Sequence, residues 1–155
     1  MTQIDRTALE RVIAVINGKG GVLKTTLVAN IAGMLAASDF RVLVVDLDPQ
    51  GNLAEDFGYS DDPRNDEGKA LSGALMFGSR PAPIENIRPN LDVLMGGEHL
   101  DTAAAGLAAK QAKDPDGSKL ALAAILEQLA PSYDVVLLDC PPGDELLQTN
   151  AVAAA

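Results

Sequence analysis

Asn17-Gly18-Lys19-Gly20-Gly21-Val22-Leu23-Lys24-Thr25-Thr26 decides the fold of this 155-residue chain. The stretch joins two different patterns. Before it, Arg11–Asn17 is a short apolar run with Val12, Ile13, Val15 and Ile16 facing both ways, as in a strand covered on both faces. After it, Leu27, Ile31, Met34 and Leu35 recur at helical spacing, which predicts a helix over about Lys24–Ala37. A glycine-rich turn between a strand and a helix is the geometry of a phosphate-binding loop. The helix start offers unpaired N–H groups and the positive end of a dipole. Glycine lets the backbone close around phosphate oxygens with no Cβ in the way. Lys24 would then reach the β- and γ-phosphates of a nucleotide, and the Thr25 hydroxyl would sit on Mg²⁺. The bland alternative is a tight turn with an incidental lysine.

Working outward, Arg41–Asp46 is a second buried strand, Val42-Leu43-Val44-Val45. It completes a strand–helix–strand unit of the kind that winds right-handed into a parallel sheet. Asp48–Asn52 is a polar turn with Pro49 and Gly51. Residues 55–70 are acidic, with glycine and proline, and are expected to form a solvated loop with a short helix after it. Leu91–Met95 is a further strand, closed by Gly96-Gly97. Asp101 or Thr102 is expected to cap an alanine-rich helix to about Lys113. Asp114-Pro115-Asp116-Gly117 reads as a break. Ser118 is expected to cap a helix to about Ala130, with Leu120, Leu122, Ile125, Leu126 and Leu129 as its apolar set. Asp134–Leu138 is a third strong strand, ending in Asp139. A last helix begins near Asp144 and is still running at Ala155. Its apolar Leu146, Leu147 and Val152 have no following strand to cover, so the chain is expected to be a fragment of a longer domain or the product of a gene cut by a frameshift.

Composition narrows the class. Hydrophobic residues make up 47 % and aromatics 3 %, with no tryptophan, so the core is aliphatic and suits a buried parallel sheet under helices. The net charge is −10 and the twelve Lys and Arg are scattered, so no nucleic-acid-binding face is legible here. One cysteine, Cys140, rules out an internal disulfide and fits a reducing cytosol. A nucleophilic role for Cys140 would need a paired histidine; a small core residue is the simpler reading. His99 is the single histidine, which speaks against a histidine-based metal site. No apolar run reaches the roughly 18–20 residues of a membrane span, and Met1–Arg11 is too polar for a signal peptide. The six acids from Glu55 to Glu67 read as a solvated surface.

Three motifs together resemble the ParA/MinD family of ATPases. Lys19-Gly20-Gly21-x-x-Lys24-Thr25-Thr26 resembles its deviant Walker A loop. Asp46-Leu47-Asp48-Pro49-Gln50-Gly51-Asn52 resembles the switch-I segment typical of ParA proteins. Val135-Val136-Leu137-Leu138-Asp139-Cys140-Pro141-Pro142 resembles the Walker B strand and its exit, and Thr149-Asn150-Ala151 resembles the helix that follows. The resemblance implies a P-loop NTPase-like α/β fold, a parallel sheet with helices on both faces. It treats residues 1–10 as a short N-terminal segment and residues 11–155 as the N-terminal part of one ATPase domain. By the same resemblance Gly18, Lys19, Gly20, Gly21, Val22, Leu23, Lys24, Thr25 and Thr26 cradle ATP. Lys19 matches the signature lysine that crosses to a partner subunit's nucleotide, and Lys24 the P-loop lysine. Thr25 matches the Mg²⁺ ligand and Thr26 a donor to the α-phosphate. Asp48 matches the carboxylate that positions the attacking water, and Asp139 the one that holds Mg²⁺ through water. Asp46 is either an anchor for the turn or part of the site.

The family resemblance further implies an ATP-dependent homodimer, a ParB-like activator at the cargo, and non-specific DNA bound through a C-terminal portion. It implies a cytoplasmic protein, on the nucleoid when ATP-bound, that partitions a plasmid, phage genome or chromosome. The alternatives are a MinD-like ATPase of the membrane and a non-hydrolysing interaction protein. The last is motivated by Leu23, which stands where the general P-loop has glycine. If that position is left-handed, leucine costs about 1–2 kcal/mol. The loop could shift to accept it, bind ATP but turn it over slowly, or have lost the nucleotide; retained binding is the expectation, since every other polar group of the site is present.

Overall fold

The computed structural model describes residues 3–16 and 22–155, and of residues 22 and 23 the backbone alone. A 3-10 turn at Arg6–Leu9 leads into β1 (Val12–Val15), then α1 (Val22–Ala37) and β2 (Val42–Asp46). Next come α2 (Leu53–Phe57), α3 (Lys69–Phe77), β3 (Ile84–Arg88), β4 (Leu91–Leu94), α4 (His99–Gln111), α5 (Pro115–Lys119) and α6 (Ala121–Leu129). β5 (Val135–Asp139) and α7 (Glu145–Ala154) follow. The strand order is β1-β5-β2-β4-β3. All neighbours are parallel except β3, which runs antiparallel to β4.

The central strands alternate between two aliphatic layers, as their continuous apolar runs require. Val42, Val44 and Leu137 face α1 and α2, together with Phe57 and Tyr59. Leu43, Val45, Val136 and Leu138 face the other layer, built from α3, α4, α6 and α7. Helices therefore cover both faces of a mostly parallel sheet, the arrangement implied by the resemblance.

Several expectations are corrected. β1 is an edge strand, and α1 lies across β2, β4 and β5 rather than over it, so Ile13 is 51 % exposed instead of buried. On α1 the buried face is Val28, Ala29, Ala32 and Ala36, while Leu27 and Met34 point outward. The helix is apolar nearly all round, and its small residues make the closer approach to the sheet. The stretch 55–70 is not all solvated: Phe57 and Tyr59 are buried, the first in α2, which Gly58 ends in a left-handed cap. No strand was expected at Ile84–Arg88. Its pairing is interrupted and Asn86 has φ of 54°, which breaks the alternation that would have revealed it.

Helix starts also differ. α4 begins at His99 rather than after Asp101. Asp114-Pro115-Asp116-Gly117 is a helix start, not a break: the Asp114 carboxylate accepts from the Gly117 N–H at 2.9 Å, and Pro115 takes the first helical position. Ser118 caps nothing; its hydroxyl donates to the Leu107 carbonyl at 2.7 Å, tying α5 to α4. Asp144 does cap α7, accepting from the Leu147 N–H at 3.0 Å.

One buried amide ties three helices together. Asn150 on α7 accepts from the Leu122 N–H at 3.1 Å and donates to the Ser118 carbonyl at 3.0 Å. Truncating it leaves the Leu122 donor buried without a partner. Asn150→Ala is expected to lower the unfolding free energy by about 1–3 kcal/mol, read from urea denaturation.

Candidate functional site

The C-terminal ends of three parallel strands lie side by side: Val15 of β1 pairs with Asp139 of β5, which pairs with Asp46 of β2. Open α/β sheets take their ligands at this edge. Of the eight buried polar or charged residues among those described, five gather here: Lys24, Thr25, Asp46, Asp48 and Asp139. A solvent-facing origin for the two motif aspartates is thereby excluded.

Lys24 and Thr25 stand in the first turn of α1 and both address Asp139. The Lys24 ammonium donates to Asp139 Oδ1 in a buried ion pair. The Thr25 hydroxyl donates to Oδ2 at 3.0 Å. Burial raises the Asp139 carboxyl above its ordinary range, while the donors on Lys24 and Thr25 pull it back. The Asp139 carbonyl accepts from the Leu47 N–H at 3.0 Å, which joins the end of β5 to the segment after β2.

That segment is held by its own side chains. Asp46 Oδ1 accepts from the Asp48 N–H at 3.0 Å, and Asp48 Oδ1 from the Gln50 N–H at 2.9 Å. Asp46 is fully buried, and its Oδ2 has no partner among the described residues. Burial, above all, pushes its carboxyl well up. Asp46 is thus an anchor of the turn. Nearby, the buried Tyr59 hydroxyl likewise lacks a partner among the described residues; burial first, then the Asp46 and Asp139 carboxylates, raise it far above a normal phenol.

Thr25 and Asp139 offer hydroxyl and carboxylate oxygens, the donor set of a hard divalent cation such as Mg²⁺. Lys24 adds the cation a phosphate requires. The chain's residues therefore fit a magnesium-bound nucleotide. Thr26, one step on, is half-buried and lines a groove of about 670 Å³ with Asn30, Phe57 and Arg88. Gly18, Lys19, Gly20 and Gly21, and the side chains of Val22 and Leu23, lie outside the described residues.

Cys140 is core, as expected. Its N–H bonds the Val15 carbonyl at 3.3 Å, and burial pushes its thiol up to about 12, which leaves it protonated and unreactive. His99 does have two neighbours with ligand atoms, Glu67 and Glu98, all within 4.8 Å at the surface. Sequence reasoning reads the Gly96-Gly97 pair only as the close of β4 and misses what it touches. The Gly97 N–H donates to the Asp48 carbonyl at 3.1 Å, so these glycines lie directly against the turn after β2. Two adjacent glycines at a strand's C-terminal end were the available signal.

Residues 10–155 match the AAA_31 family, an AAA domain. A chromosome partitioning protein ParA from Myxococcus xanthus is 37 % identical over 149 residues, with 94 % of this chain and 49 % of the relative covered. Among solved structures, a cobyrinic acid a,c-diamide synthase from Mycobacterium smegmatis, with bound ATP analog and magnesium, superposes with a TM-score of 0.80 at 36 % identity. It covers 94 % of this chain and 57 % of that one. The pNOB8 ParA bound to nonspecific DNA is 26 % identical with a TM-score of 0.71, covering 94 % of this chain and 51 % of that one. The chain spans about half the length of these relatives.

The buried ion pair makes a measurable demand. Asp139→Ala leaves the Lys24 ammonium buried without its counter-charge and is expected to cost about 3–5 kcal/mol. The double variant Lys24→Met/Asp139→Leu is expected to recover most of that loss in urea unfolding.

Proposed function

Because the chain belongs to the AAA_31 family and is a P-loop ATPase of the ParA/MinD type, we propose that it binds ATP with Mg²⁺ and hydrolyses it in the service of DNA partitioning. The observation that carries the reading is the meeting of Lys24, Thr25 and Asp139 at the sheet's C-terminal edge, one strand from Asp48. Lys24 would leave Asp139 for the β- and γ-phosphates, and Asp139 with Thr25 would hold Mg²⁺, Asp139 through water. The metal supplies charge neutralisation for phosphoryl transfer. Lys24 holds the phosphates and offsets the charge that grows on them. Asp48, fixed by Asp46 and Gln50, orients the attacking water.

The wider role rests on the relatives: one is named for chromosome partitioning and another is bound to nonspecific DNA. In this reading the full-length protein forms an ATP-sandwich homodimer in which Lys19 reaches the other subunit's nucleotide. It works in the cytoplasm, on the nucleoid when ATP-bound, and is triggered by a ParB-like activator at the cargo. In the same reading, non-specific DNA is bound through a C-terminal portion of the kind the relatives carry. No helix among the described residues is long and apolar enough to cross a membrane.

Leu23 sets the test. Titration calorimetry and thermal shift with ATP and Mg²⁺ are expected to show binding by the native chain, and Leu23→Gly is expected to alter the affinity by less than about tenfold. Binding by the glycine variant alone would refute the reading. Binding without turnover, even with DNA and an activator present, would mark a non-hydrolysing protein instead.

A further inference from the structure

Asp48 is held by more than its own turn. Its N–H is taken by Asp46 Oδ1 at 3.0 Å, and its carbonyl accepts from the Gly51 N–H at 3.0 Å and the Gly97 N–H at 3.1 Å. Pro49 follows directly, so the backbone on that side has little freedom. Beneath the turn lies Gly96, where a Cβ would come within 2.6 Å of the Asp46 carboxyl carbon and 2.7 Å of the Asp46 and Asp48 carbonyl oxygens. No side chain fits there without moving both aspartates. Gly97, at φ of 142°, presses in turn on the Glu67 backbone, where a Cβ would lie 2.6 Å from the carbonyl oxygen. Three backbone segments are thus stacked in contact: the turn after β2, the turn after β4, and the turn before α3.

We propose that Asp46 and Gly96 are positioning residues for Asp48, setting where its carboxylate stands relative to Lys24 and Asp139. The assignment rests on the ATP-hydrolysis reading and deepens it. Asp46 acts through a single acceptor oxygen, since its other oxygen has no partner among the described residues. An amide at position 46 keeps that acceptor, whereas a methyl group abolishes it. Gly96 acts by absence: its missing side chain is the space in which the Asp46 carboxyl and the Asp48 carbonyl sit. Neither residue needs to touch the nucleotide, so neither should govern how tightly it binds.

This separates a positioning role from a merely structural one. Loss of Asp48 alignment lowers kcat and leaves the KM for ATP in place, because an error of about 1 Å in a reacting group can cost up to ~100-fold in rate. General loosening of the fold would instead lower Tm and degrade KM and kcat together. The test compares Asp46→Ala, Asp46→Asn and Gly96→Ala for ATP turnover, ATP affinity and amide hydrogen exchange at Asp48 and Gln50. Asp46→Ala and Gly96→Ala are expected to lose about 10- to 100-fold in kcat with KM unchanged, Asp46→Asn to stay within a few-fold of wild type, and the Asp48 amide to lose protection only in the first two. Should Gly96→Ala fail to fold, the two Asp46 variants decide alone. A wild type without turnover would sink the ATPase reading, and amide exchange would still judge the positioning claim. Unchanged kcat in Asp46→Ala, or an Asp48 amide as unprotected in wild type as in that variant, would overturn the inference.

Discussion

A carboxylate sealed from water at the end of a strand must be met by donors, and the fold depends on how Asp139 is met. β5 lies between β1 and β2, so its C-terminal end is enclosed on both sides. An uncompensated charge there costs several kcal/mol. Lys24 and Thr25 supply the compensation from one turn of helix, which fixes the start of α1 against β5. The rest of α1 must then lie close along the sheet. Its buried face of Val28, Ala29, Ala32 and Ala36 is small enough to allow that. The ion pair that organises the candidate site is thus also what sets the helix on the sheet.

The turn after β2 obeys a different constraint, that of backbone meeting backbone. Gly51, Gly68, Gly96 and Gly97 lie where the chain passes itself at near contact, and Gly51, Gly68 and Gly97 also carry positive φ. Close stacking of main chains leaves polar N–H and C=O groups with no room for water, so each must find a partner in the stack. Asp48 and Gly97 find each other, and the Glu67 carbonyl receives the His99 N–H. A rigid seat for Asp48 follows from that requirement.

How much of this was legible in the sequence depends on the kind of signal. Buried parallel strands announce themselves as unbroken aliphatic runs, so β2 and β5 were read with their ends nearly in place, and so were the motif residues just beyond them. The same rule misjudged Ile13, because an apolar run does not reveal whether a strand is central or at the edge. Helical spacing chose Leu27 and Met34 over the alanines, since hydrophobicity alone cannot say that the smaller residues approach closer. Ser118 resembled a cap by type, yet its hydroxyl was drawn to a carbonyl on another helix. Gly96 was noticed only as the end of a strand. Its role depends on Asp46, fifty residues earlier in the chain, and no local pattern carries that.

Charge bears on the proposal that the site takes a nucleotide together with a metal. Asp48 and Asp139 stand together at the edge of the sheet, and Lys24 is the one buried cation among the described residues. Bare ATP would bring further negative charge into a site already rich in carboxylates, at short range and with little water to screen it. Lys24 cannot answer for both, since serving the phosphates means leaving Asp139. In the proposed reading, a divalent cation held near Thr25 would offset the charge of Asp139 and free Lys24 for the phosphates. On that reading, the Lys24–Asp139 pair seen here is the arrangement that a metal-bound nucleotide would replace.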